Sequence, residues 1–119
     1  FAMKSYLDAG IITAIGSDAP ITYPDPMNSL FGALNRMDQR TGDLCGAGQR
    51  VQVLDAVRMF TYNGAYASFE ENIKGSLEPG KLADVVILDQ DLLTYPAERV
   101  QDVKVRCTLV GGEIVYTRE

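Results

Sequence analysis

Apolar residues recur at helical spacing through the first two thirds of the chain and at a two-residue spacing in the last third. Met3, Tyr6 and Leu7 share one helical face, and Gly10 follows as a left-handed stop, so residues 1–9 read as the end of a helix. Ile11-Ile12-Thr13-Ala14-Ile15 is then almost continuously apolar, which suits a strand covered on both faces, as in a parallel sheet. Gly16-Ser17-Asp18-Ala19-Pro20 ends that strand and opens a loop running to about Pro26. Asp25 can cap the next helix and Pro26 can take its first position, where the missing N–H costs nothing. Met27, Leu30, Phe31, Leu34 and Met37 form its apolar stripe, which should fail near Arg40-Thr41-Gly42. Residues 41–49, with Gly42, Gly46 and Gly48, read as a surface loop. A third helix should turn Val53, Leu54, Val57 and Phe60 inward and fray at Tyr62-Asn63-Gly64, with residues 65–70 able to form one more short helix.

After Lys74 the period changes. Glu78-Pro79-Gly80-Lys81 carries Pro and Gly at the central positions of a type II turn, and residues 83–89 read as a strand. Val103, Val105, Cys107 and Leu109 alternate with Lys104, Arg106 and Thr108, and Gly111-Gly112 turns into Glu113-Ile114-Val115-Tyr116, so a β-hairpin closes the chain. The order is the tail of an α/β repeat followed by a small antiparallel unit. Neither half is convincing alone, because one buried parallel strand needs neighbours and three short strands leave open edges.

Composition narrows the function. The 119 residues carry Lys+Arg 11 against Asp+Glu 16, a net charge of -5, with no basic block, which argues against nucleic acid as a partner. No apolar run approaches the roughly 18 residues that span a bilayer, so no membrane association is expected. The opening Phe1-Ala2-Met3-Lys4 has no export-signal pattern. It lies inside a helical pattern, so the chain reads as an excised segment, for which a cytoplasmic location is a default. The most informative count is His 0, which removes the usual metal ligand and every Ser-His-Asp or Cys-His arrangement from this chain by itself. Cys45 and Cys107 are read as free thiols, since two distant cysteines make no framework.

Asp18 is the candidate for chemistry. It follows the C-terminal end of a buried strand, the end at which catalytic groups project in barrels and open parallel sheets. A carboxylate there can bind a metal, accept a proton from metal-bound water, or both. The simpler alternative is that it satisfies N–H groups of its own turn. Tyr23 and Asp25 could line a pocket, but Tyr23 more simply packs on a rim and Asp25 caps a helix. Arg36 could anchor a carboxylate, but more simply faces solvent from its helix.

The run Gly75-Ser76-Leu77-Glu78-Pro79-Gly80-Lys81-Leu82-Ala83-Asp84-Val85-Val86-Ile87-Leu88-Asp89 resembles a hallmark of the amidohydrolase superfamily of metal-dependent hydrolases. Gly16-Ser17-Asp18-Ala19-Pro20 resembles the loop after its eighth barrel strand, Thr61-Tyr62-Asn63-Gly64-Ala65 its later helices, and Val110-Gly111-Gly112-Glu113-Ile114-Val115-Tyr116 its closing hairpin. The branch suggested is amidohydrolase family 3. The resemblance implies an α/β segment: the last strand and helices of a (β/α)8 barrel over residues 1–72, then part of a composite β-sandwich over residues 73–119. It implies a parent enzyme that hydrolyses a C–N bond of a small amide-type substrate through water activated by a divalent metal, usually zinc. Asp18 would be both metal ligand and proton carrier. The remaining ligands, mostly histidines, are not in this chain, which alone is expected to be inactive and to bind no metal tightly. Asp84 is expected to hydrogen-bond backbone at the strand entrance rather than to act in catalysis. The competing expectation is a non-catalytic structural or assembly module, and in either case the isolated chain is expected to self-associate through its open edges.

Overall fold

A capped helix organises the first half of the chain in the computed structural model, which describes all residues from Phe1 to Glu119. Helix α2, Pro26–Asn35, follows the short helix α1, Met3–Asp8. The Asp25 carboxylate accepts a hydrogen bond from the Met27 N–H at 2.9 Å, and Pro26 takes the first helical position. Met27, Leu30, Phe31, Ala33 and Leu34 are buried. The helix stops a full turn earlier than its apolar stripe suggests, because Arg36 adopts the left-handed conformation at φ 53°. Met37 therefore lies outside the helix and is partly exposed, pairing with Leu44 in an isolated bridge.

Arg36 is not on a solvent-facing helical surface as expected. Its Nε donates to the Cys45 carbonyl at 3.1 Å, while the Cys45 N–H donates to the Arg36 carbonyl at 2.7 Å. Arg50 Nε donates to the Asn35 carbonyl at 2.9 Å, so two arginines close the base of the intervening surface loop. A 3-10 turn, Ala47–Gln49, ends that loop and binds α1 through Gln49 Nε2, which donates to Ser5 Oγ at 2.8 Å.

Helices α3, Val53–Phe60, and α4, Tyr62–Ala67, are separated only by a backbone break at Thr61, with φ -108° and ψ -89°. The expected fraying at residues 62–64 is replaced by a second helix, because the Thr61 carbonyl accepts from the Ala65 N–H at 3.0 Å and Asn63 is buried. The inward face also differs. Ala56 and Met59 are buried, whereas Leu54 is 65% exposed.

The last third forms an antiparallel sheet of β1, Val85–Leu88, β2, Val105–Val110, and β3, Glu113–Thr117, in that order. Gly111 and Gly112 both have positive φ, 58° and 86°, as a two-residue I′ hairpin turn demands. Between β1 and β2 a 3-10 turn, Ala97–Asp102, packs on α2. Asn35 Nδ2 donates to the Ala97 carbonyl at 2.8 Å and Gln101 Nε2 to Asn28 Oδ1 at 2.7 Å. Val100 and Val103 join the α2 side chains in one hydrophobic cluster, so the core takes members from both ends of the chain.

Residues 11–15 form no strand. Ile11 and Ile12 remain about half exposed, since a ladder needs an adjacent strand and this chain supplies none there. More generally, the exposed area is 8063 Å², against about 6,300 Å² for a folded monomer of this mass. No helix is long and apolar enough to cross a membrane.

Gly75 joins the helical and sheet parts. Its φ is +91°, and a Cβ placed there would lie 2.7 Å from Ala65 Cβ, 3.0 Å from Tyr62 Cα and 3.2 Å from the Thr61 carbonyl oxygen. Overpacking plus left-handed strain should make Gly75→Ala less stable by about 1–3 kcal/mol. Gly64 on α4 has nothing within 4 Å of such a Cβ, so Gly64→Ala should stabilise by about 0.5–1 kcal/mol through helix propensity. Urea unfolding of the two variants reads the opposite signs.

Candidate functional site

Asp18 lies where the extended apolar segment gives way to the loop. It has φ +58°, a conformation that aspartate tolerates better than most side chains. Its carbonyl accepts from the Ile21 N–H at 2.8 Å, and Thr22 Oγ1 donates to the Ser17 carbonyl, so the turn is tied through backbone groups. The Asp18 carboxylate itself is exposed and accepts no hydrogen bond from that turn. The alternative of an aspartate spent on its own N–H groups is therefore not what the structure contains. Tyr23 is 78% exposed, while Asp25 is occupied as the α2 cap.

The segment behind Asp18 is held by α3 and α4. The Met59 carbonyl accepts from the Ile15 N–H at 3.2 Å, and Asn63 Nδ2 donates to the Thr13 carbonyl at 2.8 Å. Sequence reading overlooked Asn63, since an Asn-Gly pair resembles a helix end. Its signals were its place in the run Thr61-Tyr62-Asn63-Gly64-Ala65 and a polar residue on the same helical face as Ala56 and Met59.

The run of residues 75–84 is a structural knot. Lys81, whose side chain is only 12% exposed, donates from Nζ to the Glu71 carbonyl and to Ser76 Oγ, both at 2.6 Å. Ser76 Oγ in turn donates to Glu78 Oε1 at 2.7 Å, and Lys81 Nζ lies 3.5 Å from the same oxygen. The Lys81 ammonium also sits 5.8 Å from the centre of the Tyr62 ring on α4. Between Glu78 and Lys81 the expected turn closes, with the Lys81 N–H on the Glu78 carbonyl at 3.1 Å and Gly80 at φ +91°. Asp84 takes the backbone-binding role expected of it at the entrance of β1: Oδ1 accepts from the Gly111 N–H of the neighbouring hairpin turn at 2.8 Å.

An open groove of about 1460 Å³ separates the helices from the sheet, with Met27, Leu30, Phe60, Val86 and Leu88 among its apolar walls. Asp18 does not line it. No group of three or more His, Cys, Asp or Glu side chains is gathered in a way that could hold a metal ion. A metal held at Asp18 would need ligands that this chain does not gather into such a group.

The arrangement is that of an α/β segment whose acidic loop stands apart from its small sheet. The chain belongs to the amidohydrolase family, whose family model matches residues 1–116. It is 31% identical to an N-substituted formamide deformylase of Arthrobacter pascens, over 99% of this chain and 22% of that protein. Its fold is similar to that of an amidohydrolase from Thermotoga maritima, with a TM-score of 0.71 at 23% identity over 98% of this chain and 26% of that one. It is also similar to E. coli guanine deaminase, with a TM-score of 0.73 at 18% identity over 100% of this chain and 31% of that one. The chain thus spans about a fifth of the curated relative and between a quarter and a third of the two solved structures.

The knot carries a pH signature. The Ser76 hydroxyl, and then the Lys81 charge, hold the Glu78 carboxyl below its ordinary value of 4.5. A carboxyl depressed in the folded state contributes stability that is present above its ordinary value and lost as the pH falls through the folded value. Melting temperatures of the chain and its Glu78→Gln variant should therefore differ at pH 6 and converge toward pH 3. A difference that is constant over that range would separate Glu78 from the knot.

Proposed function

We propose that this chain is part of a hydrolase that cleaves a C–N bond in a small amide-type substrate, with Asp18 as the proton carrier. The observation that carries the reading is the free Asp18 carboxylate, held at φ +58° at the end of an apolar segment and engaged by no group of its own turn. The family of the chain and the formamide named for its curated relative support an amide-type carbon as the target. In this proposal residues 11–15 are the last strand of a (β/α)8 barrel, paired with strands that precede this chain. Residues 73–119 belong to a β-sandwich completed by other segments.

A divalent metal such as zinc, bound by ligands outside this chain together with Asp18, would supply charge that makes water nucleophilic. The part played by this chain is proton movement. As a water oxygen attacks the carbonyl carbon, Asp18 Oδ takes the proton released. It then delivers that proton to the departing nitrogen as the C–N bond breaks, and so returns to the carboxylate form. In the whole protein, with an N-substituted formamide as the first substrate, Asp18→Asn should lower kcat by about 10²-fold or more. Turnover equal to that of the unaltered protein would remove Asp18 from the reaction.

The second reading, a module that acts through assembly, is favoured by the exposed apolar side chains of β3, where Ile114 and Val115 are 65% and 61% exposed on an open edge. On either reading the isolated 119-residue chain should self-associate, which sedimentation velocity would detect as species heavier than 13.0 kDa. A single well-folded species of monomer mass contradicts this expectation.

A further inference from the structure

Asn63 is the one polar residue among the buried ones, at 6% exposure. It lies on α4 between two features with no direct contact in the hydrogen-bond network. On one side, Gly75 seats the knot of residues 75–84 against Thr61, Tyr62 and Ala65. On the other, Asn63 Nδ2 donates to the Thr13 carbonyl at 2.8 Å, five residues before Asp18. The second tie of that segment, from the Ile15 N–H to the Met59 carbonyl at 3.2 Å, comes from the last turn of α3. No other hydrogen bond joins residues 12–17 to the chain beyond residue 22.

The choice of side chain has a physical logic. The target is a carbonyl, so the partner must donate. A side-chain amide donates and brings no charge into a buried place, whereas an ionised carboxylate cannot donate and an aliphatic chain of similar size leaves the carbonyl unpaired. Asn63 is itself held in place by the helix that Gly75 touches at the limit of close approach. The position of the segment therefore depends on the same helix that anchors the knot.

We propose that Asn63 is a positioning residue for Asp18: through the Thr13 carbonyl it fixes the segment that ends at the acidic loop, and Gly75 fixes the helix from which it does so. This rests on the reading of Asp18 as the proton carrier, but its structural part can be measured separately. The test is hydrogen exchange by mass spectrometry in the whole protein, comparing the unaltered form with Asn63→Asp and Asn63→Leu. Both variants should exchange about tenfold faster or more in the peptide covering residues 11–18, with α2 and the β2–β3 hairpin unchanged, because one charge-free hydrogen bond to that segment is lost. In the same variants kcat should fall with KM unchanged, since a displaced proton carrier affects the chemical step and leaves ground-state binding intact. Unchanged exchange in residues 11–18 overturns the proposal. So does loosening of α2 and the hairpin along with that peptide, or failure of both variants to fold, because Asn63 would then hold the core at large. If Asp18→Asn retains full turnover while the Asn63 variants loosen residues 11–18, the catalytic reading fails and the coupling of Asn63 to that segment stands.

Discussion

The absence of a side chain at Gly75 is the constraint on which the two halves of this chain depend. Backbone there passes so close to α4 that a single methyl group would overlap Ala65 and press on Tyr62. Close approach brings Lys81 over the Tyr62 ring and within reach of the Glu71 carbonyl and Ser76 Oγ, so a largely covered ammonium finds acceptors for its N–H groups. Through this contact the turn of residues 78–81, the start of β1 and the helices become one unit. Asp84 ties the start of β1 to the neighbouring β2–β3 turn by holding the Gly111 N–H. The conspicuous run of residues 75–84 is thus explained by architecture, with no chemistry required of it.

Elements whose signals are local were legible in the sequence. Asp25 and Pro26 start α2 because a cap and a first-turn proline act on adjacent residues only. The Gly111-Gly112 hairpin and the turn at Pro79-Gly80 are likewise set by the φ values their residues accept. Elements set by distant partners were not. Residues 11–15 have the composition of a buried strand, yet a strand is a pairing, and composition carries no information on whether the partner is present. Leu54 and Met59 exchanged their expected places because the face a helix buries is decided by what it packs on. Met37 continued the apolar period of α2 after Arg36 had already left the helix.

For the candidate site, Asp18 could be chosen from its place after an apolar run, whereas its left-handed backbone and exposed, unengaged carboxylate are visible only in three dimensions. Asn63 could not be chosen, because in sequence it sits beside glycine in a stretch that looks like a helix end, while its significance lies in a carbonyl fifty residues away. The large exposed area and the apolar side chains along β3 are the faces that the proposed barrel and sandwich would cover.

The loop between Arg36 and Arg50 is closed at its base by paired bonds, Arg36 with the Cys45 carbonyl and Arg50 with the Asn35 carbonyl, before the chain resumes at the buried Val51. Closure of this kind insulates α2 and α3 from whatever the tip contains. Because the entropy of joining two ends rises only logarithmically with the length between them, several residues added at the tip would cost well under about 1 kcal/mol. This stretch is therefore the natural point at which related proteins can differ in length, or at which a reporter peptide can be inserted, without disturbing the hydrophobic cluster beneath it.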